Sequence, residues 1–375
     1  MPIVAIVLFT SGLGSGAAAA PSAACLSRQG APVPPAYAAV VARARAIVCD
    51  RLLPRMPGLQ VAVAVGGKLV WSEGFGYADR ARKIPVTNAT QFRIGSVSKP
   101  LTAAGLALLY ERRQLDLDAP VQRYVLSFPE KRYPITTREL AGHLAGIRHY
   151  QDDEFRLNRH FNTVREGLEI FERDSLLFPP GTKYAYSSYG WNLIGAVIEG
   201  ASGQDFLTYM SRAVFQPLGM THTAPDRADS VIPDRAAPYD AHSLVGFTWF
   251  SLAPPVDNSY KWAGGGFLST AEDLVKFGSA LLEPGFLKAQ TLDLLFTSQR
   301  TTAGEPTGYG IGWFLATDSL GHRRAFHGGS AVGGTAAFGL DRDSRVVIAI
   351  LANLSGASLE LGESIPKLFD RPTAP

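Results

Sequence analysis

The stretch from Phe92 to Tyr110 holds the residues best suited to act together chemically. Ser96 and Lys99 are three positions apart, so a helix that starts near Ser96 places the hydroxyl and the amine on one face, within reach of each other. A serine hydroxyl attacks poorly until a base takes its proton, and a lysine can be that base when a dry or cationic setting lowers its pKa. The spacing indicates a nucleophile beside a base, although a capping serine and a surface lysine would give the same pattern.

Two later stretches suit the same chemistry. Tyr186 follows a Pro-Gly turn and stands just before a predicted helix. The run His327–Ser330 contains two glycines and lies between two strand-like runs. A strand without side chains at those positions lets a substrate backbone approach closely. An ordinary bulge and a packing aromatic are the alternatives for the glycines and for Tyr186.

The order of these motifs resembles the serine β-lactamase and penicillin-binding-protein superfamily, in its class C-like branch of β-lactamases, esterases and DD-peptidases. Ser96–Lys99 matches the Ser-x-x-Lys motif, Tyr186–Ser188 stands at the Tyr-x-Asn motif, and His327–Gly329 stands at the Lys-Thr-Gly or His-x-Gly motif. The stretches that resemble its mitochondrial serine β-lactamase-like peptidases most are Val70–Gly74, Gly76–Asp79, Phe128–Lys131 and Gly146–Tyr150. The resemblance covers residues 37–370.

The resemblance implies acyl transfer through a Ser96 ester, with Lys99 as base and Tyr186 as co-base or proton shuttle. It also implies an oxyanion site formed by the backbone N–H groups of Ser96 and Ser330. Ser188, His327, Gly328 and Gly329 are the expected substrate-binding residues. No cofactor and no metal ion is expected.

Two departures from the family pattern lower the expectation of efficient antibiotic hydrolysis. Ser188 replaces the usual asparagine, so a short hydroxyl stands where an amide would hold the substrate. His327 replaces a lysine and is cationic only part of the time near neutral pH, although a structural histidine is an equal alternative. We therefore predict a peptidase or esterase acting on a peptide or small-molecule substrate. A DD-peptidase or weak β-lactamase is the alternative, and a homo-oligomeric, filament-forming scaffold is an alternative of another class.

Composition limits the remaining possibilities. The 375 residues carry a net charge of +3 and are 46% apolar, so the chain reads as globular, without a basic stripe for a nucleic-acid partner. Its two cysteines, Cys25 and Cys49, either pair in an oxidising compartment or remain as idle thiols.

The first 24 residues resemble an export signal, with an apolar run followed by alanines, although a basic start is missing and an unstructured N-terminus is the alternative. The run is too short for a stable membrane span. We expect a protein exported to the periplasm or the extracellular space.

The predicted fold is α+β, of the β-lactamase/transpeptidase-like type. Residues 58–76 alternate around Gly66 and Gly67 and predict a hairpin. Strand-like runs near the C-terminus should complete an antiparallel sheet, flanked by helices from both chain ends. Residues 36–370 form one catalytic domain, with a mostly helical subdomain at about 112–258 inserted between the sheet halves. Its clearest predicted helices are 161–178 and 193–214.

For several residues in this segment we expect a structural or solvent-exposed role and no part in the chemistry. His143 and His149 are expected to be structural, since nothing near them has metal-ligand spacing. Asp152, Asp153 and Glu154 are expected to form a solvated acidic turn.

Overall fold

The computed structural model describes residues 25–359 and 364–370, so the predicted export segment, residues 1–24, lies outside the described residues. The strands are β1 Ser27–Gln29, β2 Gly58–Val65, β3 Lys68–Asp79, β4 Ile84–Pro85, β5 Phe92–Arg93, β6 Ala224–Pro225, β7 Tyr239–Leu244, β8 Phe247–Leu252, β9 Phe267–Ser269, β10 Phe314–Thr317, β11 Arg323–Ala331, β12 Gly334–Asp341 and β13 Val346–Ala352. The helices are α1 Ala38–Ile47, α2 Ser98–Glu111, α3 Thr137–Ala141, α4 Val164–Leu168, α5 Ser188–Ser202, α6 Phe206–Met210, α7 Trp262–Gly265, α8 Ala271–Ala280, α9 Ala289–Leu295 and α10 Ser364–Phe369.

The large sheet joins the two ends of the chain, as predicted. Its strand order is β1-β3-β2-β13-β12-β11-β10, with β4 paired to β3, and all its pairings are antiparallel. Every residue of the central strand β13 is buried, which indicates apolar packing on both faces. Helix α8 packs against β2 and β13, whereas α1 and α10 pack against each other and contribute to a second apolar cluster.

The predicted hairpin between β2 and β3 is confirmed. Gly66 and Gly67 have φ angles of +58° and +79°, a left-handed conformation that favours glycine. The pairing runs from Val65 opposite Lys68 to Gly58 opposite Gly76. This hairpin places the N-terminal strands beside β13 and closes the sheet.

The helices predicted at 161–178 and 193–214 are wrong in their extent. The first shrinks to α4, because Thr163 caps its start and the backbone turns through i→i+3 hydrogen bonds, from Glu169 to Glu166 and from Phe171 to Leu168, at its end. The second divides into α5 and α6, because Gly203 ends α5 with a φ of +67° and Asp205 caps α6.

The β7–β8 hairpin has no counterpart in the sequence prediction. Its turn is formed by Val245 and Gly246, with φ angles of +46° and +79°. Both strands are largely solvent-exposed along their length, so they lack the alternation between core and solvent that marks a half-buried strand.

Two further features bear on the expectations. Cys25 and Cys49 form a disulfide, which ties the segment before β1 to the turn after α1. Within the described residues, no helix has both the length and the apolar character needed to cross a bilayer.

Candidate active site

The site begins at the junction of β5 and α2. A single 3₁₀ turn, Gly95–Val97, leads directly into α2 and leaves Ser96 partly exposed at the start of the helix. The Lys99 Nζ lies 3.0 Å from the Ser96 Oγ, as the three-residue spacing predicts. Gly95 is required here because its φ is +49° and a Cβ would lie 2.4 Å from the carbonyl oxygen of Ser330.

Lys99 is the most completely buried charged-type side chain of the site. It is 0% exposed, and its Nζ donates to the carbonyl oxygen of Gly264 at 2.7 Å and contacts the Ser188 Oγ at 3.0 Å. Burial lowers the pKa of Lys99 well below its usual value, and the nearby Lys261 lowers it further. A neutral amine can donate to Gly264 and Ser188 and still accept the proton of Ser96.

Tyr186 completes this group. The Lys99 Nζ lies 4.9 Å from the centre of the Tyr186 ring, and the ring stacks on Phe314. Burial raises the pKa of Tyr186, although hydrogen bonds with the hydroxyls of Ser96 and Ser188 oppose that shift. Tyr186 is therefore a neutral phenol near neutral pH, suited to passing a proton rather than to removing one.

Two histidines fix the backbone at the start of α5. The Nδ1 of His143 accepts from the backbone N–H of Ser187 at 3.0 Å, and the Nδ1 of His149 accepts from that of Ser188 at 3.1 Å. Burial and then the charge of Lys99 lower the pKa of both rings, that of His149 to about 4. Both rings are therefore neutral acceptors that position Tyr186 and Ser188.

The loop that carries these histidines is held by a charged network. Arg148 pairs with Glu154 at 2.6 Å and with Asp174 at 2.5 Å, and the Tyr189 hydroxyl donates to Glu154 at 2.9 Å. The expected solvated acidic turn is therefore wrong for Glu154, which binds partly buried partners. No local pattern predicts this network, because Asp174 and Tyr189 are distant from Glu154 along the chain.

His327 lies within β11, opposite Phe338 of β12, and not between two strands as predicted. It is 2% exposed. Its Nε2 accepts from the Tyr309 hydroxyl at 3.0 Å, and its Nδ1 donates to the carbonyl oxygen of Gly328 at 2.6 Å. Burial, followed by the charge of Lys99, lowers the pKa of His327 to about 3. The expected part-time cation is thus a neutral ring with both nitrogens occupied.

The strand β11 approaches the nucleophile by its backbone. Strand β10 pairs with β11 only from Arg323 to Phe326, so the stretch from His327 onwards extends past β10. A Cβ on Gly329 would lie 1.9 Å from the carbonyl oxygen of Ile94, which shows how closely the two backbones pass. Gly328 and Ser330 are exposed, and the Ser330 backbone adjoins Gly95.

Four contributors to the site escaped the sequence prediction. They are the Gly264 carbonyl, the Tyr309 hydroxyl, the Tyr150 phenol, which hydrogen-bonds to Ser188, and Lys261. Burial, with Arg93 nearby, lowers the pKa of Lys261 to about 7. A lysine directly before the apolar run Trp262–Leu268 was the one available signal in the sequence.

Together these side chains place the buried amine of Lys99, which can act as a base, beside the partly exposed hydroxyl of Ser96. The neutral phenol of Tyr186 lies next to that amine. A model of the beta-lactamase family matches residues 44–363. The chain belongs to the beta-lactamase family. The predicted superfamily and the predicted α+β fold are therefore confirmed.

Individual relatives agree with this membership. The human serine beta-lactamase-like protein LACTB, mitochondrial, is 36% identical over 345 residues, which cover 68% of this chain and 62% of that protein. The chain thus spans less than two thirds of that relative's length. A crystal structure of a penicillin-binding protein from Bacillus halodurans is similar with a TM-score of 0.71 and 25% identity, over 82% of this chain and 95% of that one. EstCE1, a hydrolase with promiscuous acyltransferase activity, gives a TM-score of 0.74 and 25% identity, over 90% and 99%.

Proposed function

We propose that the protein is a serine hydrolase that cleaves amide or ester bonds through an acyl-enzyme on Ser96, as a peptidase or esterase. The observation that carries this proposal is the buried Lys99, whose pKa is lowered and whose Nζ lies 3.0 Å from the Ser96 Oγ. The family membership and the hydrolase EstCE1 among its structural neighbours support it.

In the acylation step, Lys99 takes the proton of Ser96 while the Oγ forms a bond to the carbonyl carbon of the substrate. The negative charge that develops on the carbonyl oxygen is held by the backbone N–H groups of Ser96 and Ser330. Loss of one such donor typically costs about 3 kcal/mol of transition-state stabilisation.

Collapse of the intermediate breaks the bond to the leaving group. The ring of Tyr186 lies beside Lys99, and the hydroxyl of Ser96 bears on the pKa of its phenol, so Tyr186 can relay the proton from the lysine to the departing nitrogen or oxygen. In deacylation, the same pair takes a proton from water while its oxygen forms a bond to the ester carbonyl carbon, and that proton passes to the Ser96 Oγ as the bond between Oγ and the carbon breaks.

The surroundings of His327 favour a peptidase or esterase over the alternative of a DD-peptidase or weak β-lactamase. A β-lactam carboxylate needs a cation near the third motif, but the His327 ring is neutral and both of its nitrogens are occupied. Ser188 also contacts Lys99, so its hydroxyl serves the base as well as any substrate.

Activity-based labelling tests the proposal. A fluorescent phosphonate should label the wild type, and Ser96→Ala should abolish the label. Ser98→Ala is the matched control, because Ser98 lies in the same stretch but its Oγ accepts from the backbone N–H of Phe267 instead. A fluorescent penicillin should label weakly. Rapid turnover of a chromogenic cephalosporin would favour the β-lactamase alternative, and the absence of any label would favour the scaffold.

Export to the periplasm or the extracellular space is a separate part of the proposal. The disulfide between Cys25 and Cys49 supports it, because such bonds persist in oxidising compartments. Cell fractionation, with thiol labelling of the protein from each fraction, tests it. A homo-oligomer or filament stays a prediction, which light scattering on the purified protein would check.

A further inference from the structure

A second cluster of ligand-type side chains lies at the end of β11 that is remote from Ser330. It consists of Asp318 and His322 in the β10–β11 turn, Asp341 at the end of β12, and Asp370 just after α10. One nitrogen or oxygen atom from each residue lies within 4.8 Å of those from all the others. The four residues therefore converge from three separate segments of the chain.

Within the described residues, each carboxylate accepts hydrogen bonds through its Oδ1 and none through its Oδ2. The Oδ1 of Asp318 accepts from the backbone N–H groups of Leu320 and His322. The Oδ1 of Asp341 accepts from the N–H groups of Asp343 and Ser344 at 3.0 and 2.8 Å. The Oδ1 of Asp370 accepts from the Ser344 hydroxyl at 2.9 Å. Hydrogen bonds of this kind orient the carboxylates that bind a metal ion.

Three atoms of this cluster are buried and lack hydrogen-bond partners within the described residues. They are the Nδ1 of His322, the Oδ2 of Asp341 and the Oδ2 of Asp370. Asp341 is only 2% exposed, yet its Oδ2 makes no hydrogen bond within the described residues; the His322 Nδ1 lies 3.3 Å from it and the Arg324 Nε 3.6 Å. A buried carboxylate oxygen left without a hydrogen bond is costly.

We propose that Asp318, His322, Asp341 and Asp370 bind a divalent cation, which fastens the β10–β11 turn and the end of α10 to the sheet. The three carboxylates and the Arg324 guanidinium give an excess of two negative charges, which one such ion neutralises. An imidazole among carboxylates favours zinc or manganese over magnesium or calcium, which prefer oxygen ligands alone. Metal–ligand distances of about 2.1 Å put tetrahedral ligands roughly 3.4 Å apart, so the widest pair of ligand atoms, which lie within 4.8 Å of each other, must move together on binding.

This site is structural and separate from the Ser96 chemistry, so its test does not depend on hydrolysis. The tag-free full chain is treated with a chelator, desalted, and titrated with ZnCl₂, MnCl₂, MgCl₂ and CaCl₂ by calorimetry. We expect one zinc or manganese ion per chain, and a melting temperature that rises by about 5 °C at a hundredfold excess over Kd. Cobalt as a probe should give a visible ligand-field band.

The variants His322→Ala and Asp341→Asn should each abolish binding and the rise in melting temperature. Asp341→Asn keeps a carbonyl oxygen to accept from the 343–344 turn, so it should fold. The control His242→Ala removes an exposed histidine outside the cluster and should bind as the wild type does. No binding by the wild type, binding that survives in both variants, or equal preference for calcium would overturn the proposal.

Discussion

The chemistry of the site depends on which of two neighbouring groups gives up its proton more readily. Burial lowers the pKa of Lys99 and raises that of Tyr186, because a dry setting disfavours the charged form of each. There is therefore a range of pH in which the Lys99 amine and the Tyr186 phenol are both neutral. This order assigns the base to Lys99 and the relay to Tyr186.

Loss of the Tyr186 hydroxyl should test whether Tyr186 relays the proton that Lys99 removes. Tyr186→Phe keeps the ring that stacks on Phe314 but loses the hydroxyl, so we expect kcat to fall about 10²- to 10⁴-fold, with little change in melting temperature. Steady-state kinetics on an ester substrate measure this change. A kcat within tenfold of the wild type would rule out a proton relay through Tyr186.

The pH dependence should respond to Lys261. Its charge lowers the pKa of Lys99, so Lys261→Met should raise that pKa and reduce the fraction of neutral amine at any given pH. The acid limb of the kcat/KM profile should move to higher pH, with a several-fold loss of rate on that limb. Lys261→Arg keeps the charge and is the control. An unmoved acid limb in Lys261→Met would mean that another group sets it.

Sequence alone could not distinguish the active pair from an idle one. The Ser-x-x-Lys spacing occurs twice, at Ser96 and Lys99 and again at Ser364 and Lys367, and the second lysine is exposed. Only the order of the other motifs favoured the first pair. The burial of Lys99 depends on Gly264, far along the chain, and no local pattern contains that contact.

At the scale of elements, the site depends on how closely β11 passes the turn before α2. The two backbones approach so nearly that a Cβ fits at one glycine of β11 and not at the next. At Gly328 a Cβ would meet only the Ala336 carbonyl oxygen, 4.0 Å away, whereas at Gly329 it would lie 1.9 Å from that of Ile94.

These two adjacent glycines make a matched pair for experiment. Gly329→Ala should force β11 away from the turn and lower the free energy of unfolding by about 1 to 3 kcal/mol, a range typical of overpacking. Gly328→Ala should leave it nearly unchanged. Urea denaturation of both variants measures the difference. Equal stabilities would show that the strand can move aside without cost.

The strands and helices that the sequence predicted well are those with a strong local signal. The β2–β3 hairpin has two glycines at its turn and alternating apolar residues on both sides. In contrast, the helix predicted at 161–178 is limited to Val164–Leu168, because Thr163 caps its start and the chain turns at its end. Beyond that end, Lys131 binds the carbonyl groups of Glu172 and Asp174, a contact between segments some forty residues apart that no local pattern shows.

At the scale of the whole molecule, buried neutral histidines should make the protein sensitive to acid. The pKa of His327 is lowered to about 3 and that of His143 well below its usual value. Their contribution to stability is full above about pH 6.5, where the unfolded chain is also neutral. It is lost as the pH falls from there towards the folded-state values.

We therefore expect the free energy of unfolding to fall between pH 6.5 and 4, by about 1.4 kcal/mol per pH unit for each such histidine. His327→Gln should reduce this slope by about 1.4 kcal/mol per pH unit, which is the contribution of one such histidine. Urea denaturation at a series of pH values measures it. An identical slope in the variant would mean that His327 is protonated in the folded state.

The disulfide acts on the whole molecule because it fixes a segment that few other contacts hold. Strand β1 is three residues long and pairs only with β3, and Cys25 just before it is tied to Cys49 across a sequence separation of 24 residues. A loop of that length should stabilise the fold by about 3 kcal/mol, chiefly by restricting the unfolded chain. Replacement of both cysteines by serine should lower the free energy of unfolding by that amount, and reductant should lower the wild type equally while leaving the variant unchanged. A wild type that is insensitive to reductant, with two titratable thiols in the folded state, would show that the bond does not form.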